Sequence, residues 1–266
     1  MRGTFRFNDD YVYRMPVHFG GHPFYPVRTR YGDMTCLAVS YETEAEALLP
    51  FIPEVFELTE PLVKVQYANS RDVEWMAGGE YRLVQVSVPV RYLGREEEIP
   101  GDYVLVIWEN KACPILGGRE EDGMPKLFAD IPCERHVGGR WHSAASYESH
   151  QFLSLTFEEE RPLSEGEMAQ WNQGGRINYF GWRHLPNVGR GGAALSHGVL
   201  YPQEMRARQV LAGRGEVRWL RLTEEQHPLQ WFIIDALAAL PVKSYRPAVL
   251  MRGEARLNVG DSRVLS

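Results

Sequence analysis

Cysteine is scarce: Cys36, Cys113 and Cys133 are the only three in 266 residues, and no C-x-x-C pair occurs. That argues against a disulfide framework and against a cysteine-rich zinc site, and it fits a reducing cytoplasm. Long hydrophobic runs are missing as well. Nothing approaches the roughly 20 apolar residues that span a bilayer, and the N-terminal MRGTFRFNDDYVYR carries acids where a secretory leader has an apolar segment. A cytoplasmic protein without membrane contact is expected. Basic charge is not in excess either: 29 Lys plus Arg face 35 Asp plus Glu, a net charge of -6 that gives no pull toward nucleic acid. There is no internal repeat, no strand-then-helix alternation and no G-x-S-x-G elbow, and the one glycine cluster, GRGG at 189 to 192, lacks phosphate-loop spacing. A nucleotide fold is therefore not expected. His18 and His22 in HFGGH lack a third ligand, and the two glycines disfavour a helix that would bring them together. Neither metal nor cofactor is expected, and the partners left are small molecules and other subunits.

What the chain does have is alternation. PLVKVQYA (61 to 68) and YRLVQVSVPVRY (81 to 92) run with period two, Val84, Val86, Val88 and Val90 sharing one face of the second. DYVLVIWE (102 to 109) reads as a more fully buried strand, and RWHSAASY, QFLSLTF, RINYFGW, EVRWLRL and AVLMRGEARL continue the series. Helices are few and short. Thr43 with Glu46 and Ser164 with Glu167 have capping-box spacing, and PLQWFIIDALAAL (228 to 240) is apolar enough for a buried helix. Residues 1 to 33, dense in Gly and Pro from residue 15, are expected to form an extended arm. The fold class is mainly β (α+β), a single domain over 1 to 266 whose antiparallel sheet closes or nearly closes to hide its edges, with helices packed outside.

GREEDGMPKLFADIP (118 to 132) holds one lysine, Lys126, between a proline and an apolar run. A surface lysine beside acids is the ordinary reading. A lysine entering apolar surroundings is different, because desolvation penalises the ammonium and frees a nucleophilic amine. The requirement is large: at an ordinary pKa of roughly 10.4, only about one amine in 2,500 is neutral at pH 7.

GRE at 118 to 120 followed by GMPK at 123 to 126 resembles the signature of the acetoacetate decarboxylase superfamily. FIPEVFEL and EPLVKVQ (51 to 66), VPV (88 to 90), GDYVLVI (101 to 107), NYFGWRHLPN (178 to 187) and LPVK (240 to 243) look like further blocks of that family in the same order. The resemblance implies an antiparallel β-barrel or cone, a homo-oligomer, and Lys126 as the residue that forms a Schiff base with a substrate ketone. Acetoacetate decarboxylase is itself a well-known case of a nucleophilic lysine activated by desolvation or a neighbouring cation. The resemblance also implies departures. The second lysine of the decarboxylases is Leu127 here; the substrate-side arginine falls on Met34, and the two active-site glutamates fall on Gln66 and Leu83. Glu80 is a candidate to replace the missing acid, although its odd offset from Leu83 puts it on the opposite strand face unless a bulge intervenes. Arg30 is a candidate for the substrate carboxylate, against an ordinary surface arginine, and Tyr245 for a proton donor, against a packed strand tyrosine. Arg119 and Glu120 are expected to form a buried ion pair that positions the Lys126 loop. Three readings stand: a Schiff-base lyase working on a small oxo acid such as pyruvate, with an aldehyde or water as second reactant; an acetoacetate decarboxylase; and a non-catalytic barrel that binds an apolar ligand.

Overall fold

The structure is a computed structural model that describes residues 1 to 24 and 28 to 265. The alternating segments become long strands: Arg28–Glu42 (β1), Leu62–Val73 (β2), Gly79–Leu93 (β3) and Glu98–Glu109 (β4). They continue as Lys126–Phe128 (β5), Arg135–Val137 (β6), Arg140–Tyr147 (β7), His150–Pro162 (β8), Arg176–Pro186 (β9), Ala193–Trp219 (β10) and Ala248–Asn258 (β11). The helices are Ala45–Leu48 (α1), Ala112–Glu120 (α2), Glu165–Gln173 (α3) and Trp231–Ala239 (α4). None is long and apolar enough to cross a membrane.

Seven strands pair in the order β9, β4, β3, β2, β1, β11, β10, and β10 pairs β9 again. The ring is antiparallel except at β9 and β4, which meet in parallel over only two residue pairs, Tyr179 with Asp102 and Phe180 with Tyr103. It is barrel-like, then, with a thin seam in place of full closure. β10 is 27 residues long, enough to serve two neighbourhoods: its first half pairs β9, and its second half carries β8, β7 and β6 outward as an extension of the sheet.

The middles of β2 and β3 are buried on both faces, which period-two reasoning alone does not reveal. On β3, Val84, Val86, Val88 and Val90 join the main core with Trp108, Phe152, Phe180 and Leu250. Each such side chain contributes about 1.5–3 kcal/mol when removed from water. The alternate residues Tyr81, Leu83 and Gln85 face a second, inner space.

Three local expectations need correcting. Thr43 does not cap α1: Glu44 holds that position without a side-chain bond, and Thr43 is turned into the core with its N–H bonded to the Pro61 carbonyl. The arm ends earlier than residue 33, because β1 begins at Arg28 and pairs β11 from its first residue. α4 buries only the stripe bearing Ile234 and Leu237, leaving Phe232 exposed. By contrast, Ser164 and Glu167 do form a reciprocal box, the Glu167 carboxylate accepting from the Ser164 N–H at 2.8 Å.

Candidate active site

The path to Lys126 starts at the end of β4. α2 accommodates Pro114 in its first turn, where the missing N–H has no intrahelical partner to lose. Gly117 and Gly118 then weaken the helix but thin one side of it. A Cβ on Gly118 would run into the Lys126 stem and lie 2.6 Å from its Nζ, so glycine is what lets the lysine pass beneath the helix. Gly123 adopts φ +67°, a left-handed turn that an L side chain strains. The turn is pinned by its own backbone, Met124 N–H to Gly118 O at 2.9 Å and Lys126 N–H to Met124 O at 2.8 Å.

β5 then runs parallel to β4 with Lys126 opposite Ile107. Residues two apart share a strand face, so Lys126, Ile107 and Glu109 all point into the ring. There the Lys126 Nζ meets Glu109 Oε1 at 2.9 Å and donates to the Pro114 carbonyl at 3.1 Å. The Lys126 side chain is 13 % exposed and the Glu109 side chain 0 %. Glu109 Oε2 has no hydrogen-bond partner among the described residues. Burial raises the Glu109 carboxyl above its ordinary range, with the Lys126 ammonium opposing that rise.

The pair borders a cavity of about 60 Å³ inside the ring. All seven ring strands contribute to its wall, among them Met34 of β1, Gln66 of β2, Leu83 and Gln85 of β3, and Gln203 of β10. Four phenols, Tyr31, Tyr81, Tyr179 and Tyr201, line it too, each held in the neutral form chiefly by burial. Among the described lining residues Lys126 is the sole cation and Glu109 the sole carboxylate. Asp122, in the turn before β5, is pushed up to about 6, first by burial and against the pull of Lys126. The small volume, well below the roughly 300–1,000 Å³ of drug-sized sites, suits a small metabolite.

A much larger groove of about 1230 Å³ opens elsewhere, between β6, β7, β8 and the second half of β10. It holds no lysine and no buried carboxylate; its acids Glu158, Glu160 and Glu216 are exposed, and the first two face Arg214. The inner cavity, not the larger groove, holds the buried Lys126–Glu109 pair.

Of the residues singled out in the sequence, Lys126, Met34, Gln66 and Leu83 come together around that cavity. The others do not. Glu80 is on the outer face of β3, exposed and paired with Arg82 at 3.1 Å, because the alternation that turns Tyr81 and Leu83 inward turns it out. Arg30 is exposed and paired with Asp72 at 3.1 Å. Leu127, one residue from Lys126 on a strand, points the other way and packs on the main core. Tyr245 borders the large groove, its hydroxyl donating to the Val217 carbonyl at 3.0 Å. Arg119 and Glu120 make no ion pair with each other among the described residues: successive helical side chains diverge by roughly 100°, and Arg119 is exposed. Arg119 instead donates to the Lys126 carbonyl at 2.9 Å, while the Glu120 carbonyl accepts from Arg183. Glu109 and the four lumen tyrosines were not singled out from sequence.

Residues 14–262 match the acetoacetate decarboxylase (ADC) family. The chain belongs to this family. Among curated acetoacetate decarboxylases it is 34 % identical over 118 residues to Acetoacetate decarboxylase 1 of Bradyrhizobium diazoefficiens, a match covering 44 % of this chain and 44 % of the relative. To the acetoacetate decarboxylase of Burkholderia mallei it is 31 % identical over 126 residues, 47 % of this chain and 48 % of the relative. In these alignments the chain spans about half the length of the curated relatives it matches. The fold extends further. The acetoacetate decarboxylase of Legionella pneumophila superposes with a TM-score of 0.72 at 19 % identity, covering 100 % of this chain and 92 % of that one. The enduracididine biosynthesis enzyme MppR in complex with pyruvate gives 0.72 at 16 % identity, covering 96 % and 98 %. An acetoacetate decarboxylase-like enzyme of Sphingomonas wittichii RW1 gives 0.70 at 16 % identity, covering 91 % and 94 %. At these identities the structural likeness speaks for the fold of the decarboxylase family and no more.

Proposed function

We propose that this member of the acetoacetate decarboxylase family is a Schiff-base lyase for a small oxo acid such as pyruvate, joining it to an aldehyde by aldol condensation and dehydration. The observation that carries this reading is the buried Lys126 amine, 2.9 Å from the Glu109 carboxyl and beside a cavity. Burial favours the neutral carboxyl, so Glu109 is suited to take the ammonium proton as the amine attacks the substrate carbonyl carbon. The same acid returns that proton to the carbinolamine oxygen, which leaves as water, and a C=N bond to Nζ remains. The iminium then acts as electron sink. The Glu109 carboxylate takes a proton from the adjacent methyl to give an enamine, the enamine carbon bonds to the aldehyde carbon as that proton passes to the aldehyde oxygen, and loss of the second proton from the same carbon expels the resulting hydroxyl as a second water. Hydrolysis of the imine consumes one water and frees the lysine.

Aldol chemistry is favoured over decarboxylation by what surrounds the pair. A departing carboxylate asks for a cation that holds and orients it, and the described lining offers none besides Lys126, Arg30 lying outside the ring. The apolar-ligand reading is disfavoured by the pair itself, since a buried ion pair is at best neutral for stability compared with apolar residues of the same volume. Borohydride reduction in the presence of pyruvate, then of acetoacetate, followed by peptide mass analysis, tests the proposal. The expected result is a reduced adduct on Lys126 with pyruvate. An unmodified Lys126 with both acids overturns Schiff-base chemistry here, and rapid CO2 release from acetoacetate replaces the aldol reading with decarboxylation.

A further inference from the structure

The cavity wall poses a problem that its chemistry has to solve. An oxo acid brings a carboxylate, yet the one lining cation among the described residues, Lys126, is committed to the carbonyl carbon as the iminium, and Glu109 repels a second negative charge. Neutral donors must hold the anion. The amides of Gln66, Gln85 and Gln203 and four phenols are available, and one phenol differs from the rest in how it is wired. The Tyr31 oxygen accepts from the Trp75 indole N–H at 3.0 Å and from the Tyr81 hydroxyl at 3.4 Å. Its own proton has no acceptor among the described residues. Both donors push into one oxygen, which polarises the remaining O–H and fixes its direction. The ring is 4 % exposed and stands edge-on to Tyr81 at 6.2 Å between centroids, so the hydroxyl is held still.

We infer that the Tyr31 hydroxyl is the donor that binds the substrate carboxylate, making Tyr31, on the same strand as Met34, the residue that selects oxo acids over neutral ketones. Trp75, which donates to the Tyr31 oxygen and packs on Tyr81 but does not line the cavity, is a positioning residue. This inference rests on the Schiff-base reading, and the test separates the two. Borohydride trapping at Lys126 is titrated with pyruvate and with acetone, which has the carbonyl and lacks the carboxylate, in the unaltered protein, Tyr31→Phe and Trp75→Phe. In Tyr31→Phe the half-saturating pyruvate concentration is expected to rise about 10- to 100-fold, the worth of one hydrogen bond to a charged group, while the value for acetone stays the same. Trp75→Phe, a change at a partly exposed side chain, is expected to give a smaller rise for pyruvate alone, and it carries the test if Tyr31→Phe loses its near-ultraviolet dichroism. Equal effects on both ketones, or none on pyruvate, overturn the role of Tyr31 while leaving Lys126 chemistry intact. No adduct from either ketone in the unaltered protein removes the Schiff base, and this inference with it.

Discussion

Replacing Lys126 by Met isolates the buried carboxylate and makes its proton measurable. Met fills the channel beneath Gly118 with a stem of similar length and removes the cation 2.9 Å from Glu109. That cation is the influence that opposes the rise burial imposes on the Glu109 carboxyl. Without it the carboxyl keeps its proton in the folded chain, whereas the unfolded chain releases it above the ordinary glutamate value of about 4.3. The folded form then holds one proton more than the unfolded form, so stability falls as pH rises. Over the interval in which the folded carboxyl keeps its proton and the unfolded one has released it, the slope is about 1.4 kcal/mol per pH unit. The reference is the double variant Lys126→Met/Glu109→Gln, which has no carboxyl to titrate and cancels contributions from all other groups. Urea unfolding at pH 5, 6 and 7, followed by tryptophan fluorescence, to which the fully buried Trp108 contributes, reads both proteins. Parallel pH profiles for the two variants refute the argument, because they mean that Glu109 is solvated and that the Lys126 amine does not stand in a dry site.

Gly118→Ala puts a methyl into the Lys126 stem and is expected to displace the amine from Glu109, costing about 1–3 kcal/mol of stability from overpacking and lowering pyruvate trapping at least in proportion; full trapping with unchanged melting counts against the packing argument. Asp122, raised to about 6 by burial, destabilises the fold as pH climbs through that value, so Asp122→Asn is expected to raise the melting temperature at pH 7.5 and to change it little at pH 4.5 in calorimetry. Tyr67→Phe takes one donor, at 2.6 Å, from the Glu134 carboxylate, and denaturant unfolding is expected to show a loss of about 1–3 kcal/mol.

How much of this was legible in the chain differs from element to element. The strands were, because Val84 to Val90 and the matching segments alternate strictly and turn residues bound them. α2 was not: a helix containing Pro114, Gly117 and Gly118 has poor intrinsic propensity, and it forms where tertiary contacts decide, over the lysine that needs its glycines. The GRE and GMPK blocks located Lys126, but the blocks carry no register. Register is what separates Glu80, which faces out, from Leu83, which faces in.

The acid shows the limit most clearly. The family resemblance put one glutamate position on Leu83, and Leu83 is the direct ladder partner of Glu109. A carboxylate thus stands across the strand pair from the vacated position, on the same inner face. Nearest ladder partners have Cβ atoms about 4.5–5.5 Å apart, so Glu109 reaches the same space that a longer acidic side chain at Leu83 would occupy. A position-by-position reading of the motif scores this as a loss of the acid. A reading by sheet face finds one carboxyl on that inner face, where the resemblance implied two. The sequence held one clue: DYVLVIWE ends a run of buried strand residues on a glutamate, and an ionisable group at the end of such a run needs a partner. The lysine of GMPK, 17 positions downstream on a strand parallel to that run, is the partner that supplies it.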